Sequence, residues 1–373
     1  MDSLTQACLG AVVGVAVAGR SLGARRAALT GAVLGTLPDL DTFIRYDDPV
    51  RSFVLHRGFS HSLLVHLAVS PLLGEVLCRI WSGLRAHRAL CWLLVFACLS
   101  THALLDAATI YGTQLLWPLS THPFGVGSIF IIDPLYTLPL AVAAIVAVAA
   151  GAWTERVRRA TLAALLISTG YLAWSLVAQA VATERSRAIL ERAGIEPERL
   201  LVTPMPFNTL LWRAIVIDGA RYLNIYVPLL GEGATAYAHR RLPRAPLVCA
   251  RPIEAAATLA RFSKGFWRLL EDGDRLTMAD LRMGVTPAYV FTFEVATRDG
   301  GVFRALVPPE RVTYERSREG DVNWLLESMA GGAPVRPGEV RARLADLSAL
   351  DRAPDEEALR TVRSCIGPAS PAP

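Results

Sequence analysis

Three short polar motifs lie between Leu37 and Ser120, each beside an apolar run: P-D-L-D at Pro38 to Asp41, H-R-G-F-S-H-S at His56 to Ser62, and T-H-A-L-L-D at Thr101 to Asp106. Carboxylate oxygen and imidazole nitrogen are the donors that hold divalent metals, with zinc accepting both and manganese or magnesium favouring oxygen. His102 and Asp106 are four residues apart, so on a helix they share one face and can reach one ion. A structural histidine–aspartate hydrogen bond is the competing role for that pair. Asp39 and Asp41 follow Pro38, which disfavours helix through residue 37, and in an extended turn alternate side chains point the same way. A solvated acidic loop, with Asp47 and Asp48 nearby, is the plain alternative. His56 and His61 do not share a helical face, but Gly58 allows a turn between them and Ser60 is placed to cap the helix that follows. Arg57 offers a planar fork suited to phosphate or carboxylate. The expected metal ligands are therefore Asp39, Asp41, His56, His61, His102 and Asp106, with Asp41, His61 and Arg57 as the catalytic candidates. His66, deeper in the apolar run, reads as a packed or hydrogen-bonded helix residue; Gln6 and Asp2 are candidate supporting groups.

The elements that must position these residues are apolar helices. Of 373 residues 53% are hydrophobic and 19% charged, too apolar for an ordinary soluble chain. The apolar blocks end near Ala182, after which Arg, Asp, Glu and Pro become frequent. The expected fold is a membrane all-α bundle of about 5–6 transmembrane helices followed by a small soluble α+β domain. Its parts are residues 1–182, 183–330 and a helical to disordered tail, 331–373. Spans are expected near 5–19, 27–37, 62–81, 89–105, 131–153 and 160–182, from the length a bilayer core requires. Gly10, Gly14 and Gly19, then Gly31 and Gly35, have the small-residue spacing of closely packed helices. The start of the chain lacks the basic region of a cleavable signal, so the first span is expected to stay as an anchor.

Arginines follow the first span (Arg20, Arg25, Arg26), lie between the third and fourth (Arg79, Arg85, Arg88) and between the fifth and sixth (Arg156, Arg158, Arg159). The positive-inside rule makes those connections cytoplasmic. The connections 38–61 and 106–130, which hold or adjoin all three motifs, then face outward, as does everything after 182. Arg45, Arg51 and Arg57 in the 38–61 connection run against this orientation. The expected location is the inner membrane, with the bilayer as partner and an amphiphilic or lipid-linked substrate. The net charge of +5 is spread thinly, with Lys264 the only lysine, which gives nucleic-acid binding little support. The six cysteines form no C-x-x-C pair; four lie in apolar runs as small buried residues, and Cys249 and Cys365 can pair in an oxidising compartment.

The order of M-D-x-x-T-Q, G-x-x-L-P-D-x-D (Gly35, Pro38, Asp39, Asp41), H-R-G-x-S-H-S, T-H-x-x-x-D and W-P-x-S resembles the YdjM/YfhP-like family of bacterial inner-membrane proteins, over about residues 1–125. The stretch T-P-M-P-F-N-T-L-L-W-R at Thr203 to Arg213 is similar to longer members. Members are classed as metal-dependent hydrolases, so the resemblance implies a divalent-metal cofactor (zinc, manganese or magnesium) on the six residues named. Many members have T-H where this chain has Thr5 and Gln6, which weakens one candidate ligand of the pattern here. The reading is hydrolysis of an ester or phosphoester at the outer membrane face. Its rivals are an ion or solute path and a metal-stabilised scaffold presenting the later domain. In that later domain, Leu210–Ile217 pairs with Arg221–Val227 around Asp218-Gly219, and Tyr289–Ala296 with Val302–Val307 around Asp299-Gly300-Gly301. Residues 252–271 and parts of 337–364 read as helix, and Gly367–Pro373 as a disordered tail.

Overall fold

A computed structural model describes residues 1–44, 46–243, 245–314, 319–339 and 356–367. The chain divides into two compact units: residues 1–44, 55–177 and 205–209 form the first, and 45–54, 178–204 and 210–373 the second.

The first unit is helical. Asp2 caps α1 (Ser3–Leu22) by accepting from the Thr5 backbone N–H at 3.0 Å, and Gly23, at φ 84°, ends it. The chain turns directly into α2 (Ala24–Thr36). The two helices pack backbone to backbone: a Cβ on Gly10 would stand 2.3 Å from the Gly31 carbonyl oxygen, and one on Gly14 would stand 2.9 Å from the Gly31 Cα. Only glycine permits that approach. A 3₁₀ turn, Pro38–Phe43, follows α2, and a second, Phe59–His61, leads into α4 (Leu63–Ile80). The cap of α4 is Ser62, whose side chain accepts from Val65 N–H, and not Ser60, whose hydroxyl turns to Asp41 instead. α5 (Arg88–Ala108) ends at Thr109, and Asp133 caps α6 (Pro134–Ala150) with Pro134 in its first turn.

α7 (Glu155–Arg192) runs through the expected boundary at residue 182, with Val177 the last of its residues in the first unit. Among the described residues α1, α4, α5 and α7 are long and apolar enough to cross a membrane; α6 is a shorter apolar helix and α2 has 13 residues. At one end of the bundle lie the start of α1, the end of α5 and the loop before α6, where Asp2 N–H donates to the Ile131 carbonyl. Arginines mark the other end: Arg25 donates to the Val148 carbonyl, Arg20 lies over Trp153 and Arg26 over Trp81.

The second unit is β-rich, where an α+β domain was expected. β1 (Arg199–Pro204), β2 (Leu211–Asp218), β3 (Arg221–Pro228) and β4 (Thr235–Arg240) make one antiparallel sheet in that order. The β2–β3 hairpin turns at Gly219, φ 58°, with Asp218 opposite Arg221. Both faces of this sheet are covered: Trp212, Ala214 and Val216 pack with Ala178, Ala182 and Leu190 of α7, while Ile215, Ile217 and Tyr222 pack with Phe266, Leu281 and Tyr289. That is why β2 is buried from Leu211 to Ile217, Arg213 included, and does not alternate between buried and exposed positions.

The helix expected over 252–271 stops early. α8 spans Glu254–Phe262, Lys264 and Gly265 take positive φ (54° and 84°), and the chain re-enters as β5 (Trp267–Asp272). β5, β6 (Arg275–Asp280), β9 (Thr292–Asp299) and β10 (Val302–Val312) form the second sheet, ordered β10-β9-β6-β5; β7 (Gly284–Val285) and β8 (Ala288–Tyr289) pair separately. The hairpin expected at Asp299-Gly300-Gly301 joins β9 to β10. α3 (Pro49–Leu55) contributes Phe53, which stacks on Phe291 at 4.0 Å and meets Phe262 edge-on at 4.9 Å. Helices α9 (Asp321–Met329) and α10 (Glu356–Ile366) follow, and Cys365 of α10 is disulfide-bonded to Cys249. Residues 340–355 of the expected helical tail, and 368–373 of the expected disordered one, lie outside the described residues.

Candidate metal centre

Four of the six expected ligands converge. Asp39 on the first 3₁₀ turn, His61 on the second, and His102 and Asp106 one turn apart near the end of α5 offer donor atoms that all lie within 4.8 Å of one another. His61 Nε2 lies 3.1 Å from His102 Nε2 and 3.2 Å from Asp106 Oδ2. His102 Nε2 lies 3.4 Å from Asp39 Oδ1 and 3.6 Å from Asp106 Oδ2, and His61 Nε2 lies 3.7 Å from Asp39 Oδ1. A tetrahedral zinc with bonds of ~2.0–2.1 Å sets its donors roughly 3.3–3.4 Å apart. Five edges of the donor tetrahedron therefore already have about the length an ion requires.

The tautomers fit as well. His102 Nδ1 donates to the Gly35 carbonyl at 2.6 Å, which leaves Nε2 as the lone-pair nitrogen. Ser60 Oγ donates to Asp41 Oδ2 at 2.6 Å, so its oxygen accepts from His61 Nδ1 at 3.0 Å, and the neutral His61 likewise presents Nε2 inward. Two imidazole lone pairs facing each other need a proton or a cation between them. Asp106 Oδ2 is buried without a well-aligned hydrogen bond, its near neighbours being Arg57 Nε at 2.9 Å and His61 Nε2 at 3.2 Å. Burial opposes charge on His61, but Asp106, Asp39 and Asp41 around it outweigh that and lift the imidazole to about 9. Burial likewise acts to raise Asp39, yet hydrogen bonding with His102 and His61 holds its carboxyl well below the usual range.

Asp41 and His56 stand beside this group, joined to each other. Asp41 Oδ1 accepts from His56 Nδ1 at 2.7 Å, and Oδ2 accepts from the Arg57 backbone N–H at 3.0 Å as well as from Ser60. Burial acts to raise the Asp41 carboxyl, but hydrogen bonding with His56 and His61 outweighs it and holds the group low. The His56 ring meets Tyr111 edge-on at 5.5 Å. Arg57, at φ 63°, is buried: Nε lies 2.9 Å from Asp106 Oδ2, a second nitrogen donates to Thr109 Oγ1 at 3.1 Å, and the guanidinium lies over Tyr111. Arg57 was expected to meet a phosphate or carboxylate of a substrate; in the fold its charge is engaged by a buried carboxylate that needs a counter-ion.

The supporting groups are now visible. Gln6 is buried, with Nε2 donating to Asp106 Oδ1 at 3.0 Å and to the His102 carbonyl at 3.3 Å, and the Met1 amino group lies against the same Asp106 oxygen. Asp2 serves the α1 cap and the Thr5 hydroxyl. His66 Nε2 donates to the Ser60 carbonyl at 2.8 Å, the hydrogen-bonded helix role read from its position. The sequence reading overlooked Thr109 and the Gly35 carbonyl. Thr109 falls three residues after Asp106, a spacing that could have been noticed; a main-chain carbonyl carries no residue-type signal.

Residues 1–182 match the YdjM inner membrane protein family. Inner membrane protein YbcI of Escherichia coli (strain K12) is 36% identical over 102 residues, 26% of this chain and 57% of that protein. The protein YfhP of Bacillus subtilis (strain 168) is 28% identical over 140 residues, 36% of this chain and 42% of that protein. The chain thus spans about half the length of these relatives, and no solved structure matches it. Over its first 182 residues this chain is similar to the YdjM inner membrane protein family.

Proposed function

We propose that this protein is a membrane-bound, metal-dependent hydrolase acting on an ester or phosphoester at the outer face of the inner membrane. The observation that carries the reading is the donor tetrahedron of Asp39, His61, His102 and Asp106, with the imidazole Nε2 atoms directed inward. Two imidazoles with two carboxylates suit zinc or manganese better than magnesium. A divalent ion held there would supply Lewis acidity and activate water near neutral pH. Asp41 acts through Ser60 to hold the His61 ring, and Arg57 balances the buried Asp106 charge. Asp39 is the one member of the four with solvent contact, so a substrate would reach the group from its side. The Cys249–Cys365 disulfide favours an oxidising compartment for the second unit, in line with the arginine-marked end of the bundle being cytoplasmic.

A second reading, a structural metal in a scaffold, draws on the side chains of His61, His102 and Asp106 being fully buried, since structural sites are closed. Metal content by plasma mass spectrometry on detergent-purified full-length protein, beside Asp39→Ala and His102→Ala, tests both. Hydrolase function expects an equimolar ion, its loss in both variants with helix content kept, and a matching loss of hydrolysis of phosphodiester and carboxyester reporters. Failure to retain zinc, manganese or magnesium after reconstitution removes the basis of either reading. Collapse of helix content on chelation, with no turnover before it, favours the scaffold.

A further inference from the structure

The segments that carry the candidate ligands also expose large apolar side chains. On the first 3₁₀ turn Leu40 and Phe43 follow Asp39 along the chain, Phe43 being 78% exposed. On the second, Phe59 precedes His61 and meets the Trp117 ring at 6.2 Å, and in the loop after α5 Leu119 is 82% exposed. These segments are knitted together: Gln114 N–H donates to the Arg57 carbonyl at 3.0 Å, Leu63 N–H to the Leu115 carbonyl at 2.9 Å, and Ser62 Oγ to the Trp117 carbonyl. They form an apolar rim on the ligand-bearing end of the bundle. Loops exposed to water alone would not carry such groups together.

Two further observations say what covers the rim. The first is continuity: the apolar face of α4 begins at exposed Leu64, just past Phe59, and runs on through Leu67, while exposed Leu29 and Val33 on α2 lead toward Leu40. α4 is long and apolar enough to span, and a bilayer against its exposed face would continue onto the rim. The second is the direction of opening. Of the four donors only Asp39 is reached by solvent, at 19% for its side chain, so the approach to the group runs past the turn that bears Leu40 and Phe43.

We infer that the substrate is a bilayer lipid with an anionic phosphoester head, its acyl chain lying on the rim of Leu40, Phe43, Phe59, Trp117 and Leu119 while the head reaches the Asp39 side of the donor group. The inference rests on the metal-centre reading, because an ion among four protein donors is what attracts that head. A soluble substrate would need no apolar approach; a lipid gains from it without leaving the membrane.

The test uses full-length protein, loaded with zinc, in nanodiscs of phosphatidylethanolamine and phosphatidylglycerol, with a phosphatidylglycerol probe carrying a diazirine near the carbonyl end of one acyl chain. After photolysis the labelled peptides are mapped, and metal content is measured in parallel. Label is expected on peptides spanning 38–44, 59–62 and 115–120 as well as on α4. Phe43→Ser combined with Leu119→Ser should lower the rim label about tenfold or more, tenfold being the scale of losing one buried apolar side chain, with zinc and α4 label kept. Chelation with EDTA should also lower rim label and leave α4 label alone. Rim peptides without label, or rim label indifferent to both treatments, would overturn the assignment and leave the rim a bilayer anchor. Protein that holds no ion yet loses rim label on the double substitution would instead reject the metal reading and keep the lipid seat.

Discussion

Asp41 accepts three donors from one short stretch of chain, His56 Nδ1, the Arg57 N–H and the Ser60 hydroxyl, so its oxygens are engaged before any ion arrives. Its contribution to a metal is therefore orientation of His61, and Asp41→Asn should weaken zinc binding by about 10–100-fold while Asp39→Ala removes it, as read by competition against a chelator. Arg57 is different in kind. It is the buried counter-charge of Asp106, and Arg57→Met should lower stability by ~3–5 kcal/mol, seen as a large fall in the detergent melting temperature. A third residue, Glu339, governs acid behaviour in the second unit. Burial acts to raise it, but hydrogen bonds from His239 and Tyr226 and the charge of Arg336 hold it low. A depressed folded pKa means stability that is present above the unfolded value of ~4.3 and is lost as pH falls below it. Tryptophan fluorescence between about pH 6 and 3 should show that loss, and Glu339→Gln should flatten it. At this scale the sequence was informative about donors and poor about partners. The residue types of Asp39, His61, His102 and Asp106 announce ligands, but whether the Arg57 fork is free depends on a carboxylate 49 residues away in sequence, which only the fold brings near.

The α1–α2 hairpin is the element on which the centre depends, because Gly35 near the end of α2 orients His102 and Gln6 of α1 holds Asp106. The hairpin closes on glycine backbones: a Cβ on Gly31 would lie 2.1 Å from the Gly10 carbonyl oxygen, with no flexible side chain there to give way. Gly31→Ala should cost about 1–3 kcal/mol and lower zinc retention with it, whereas Gly170→Ala on α7, where nothing lies within 4 Å, should leave both unchanged. The glycine spacing made this hairpin legible, and helix boundaries in the first unit came close because apolar length is a strong signal. The second unit was harder. β2, β3, β9 and β10 were readable from their Asp-Gly turns, but β1, β4, β5 and β6 were not. β5 follows α8 after only Ser263 to Phe266, and the change is made by backbone conformation at Lys264 and Gly265, which periodicity over 252–271 does not report.

Across the whole molecule, Cys249 and Cys365 join residues 116 apart and tie α10 to the chain before α8. In intact cells these two thiols should resist alkylation until a reductant is added, and purified protein with both changed to serine should melt lower by an amount equivalent to ~2–5 kcal/mol. Cys8, Cys78, Cys91 and Cys98 are buried and free, so an unfolding agent rather than a reductant should expose them. The insertion of residues 45–54 into the second unit has its own bearing on how this chain can be divided. Asp39 precedes that segment and His61 follows it, so candidate ligands of one compact body are separated along the chain by a piece of another. The stretch shared with the inner-membrane family ends at 182, yet it contains Phe53, whose aromatic neighbours Phe262, Phe291 and Phe293 all come from beyond that point. A protein cut at residue 182 would keep every candidate ligand and still be an unfinished fold, with a core aromatic left unburied. The family region is here a part interleaved with its neighbour, and neither can be exchanged, grafted or studied alone as a self-sufficient module.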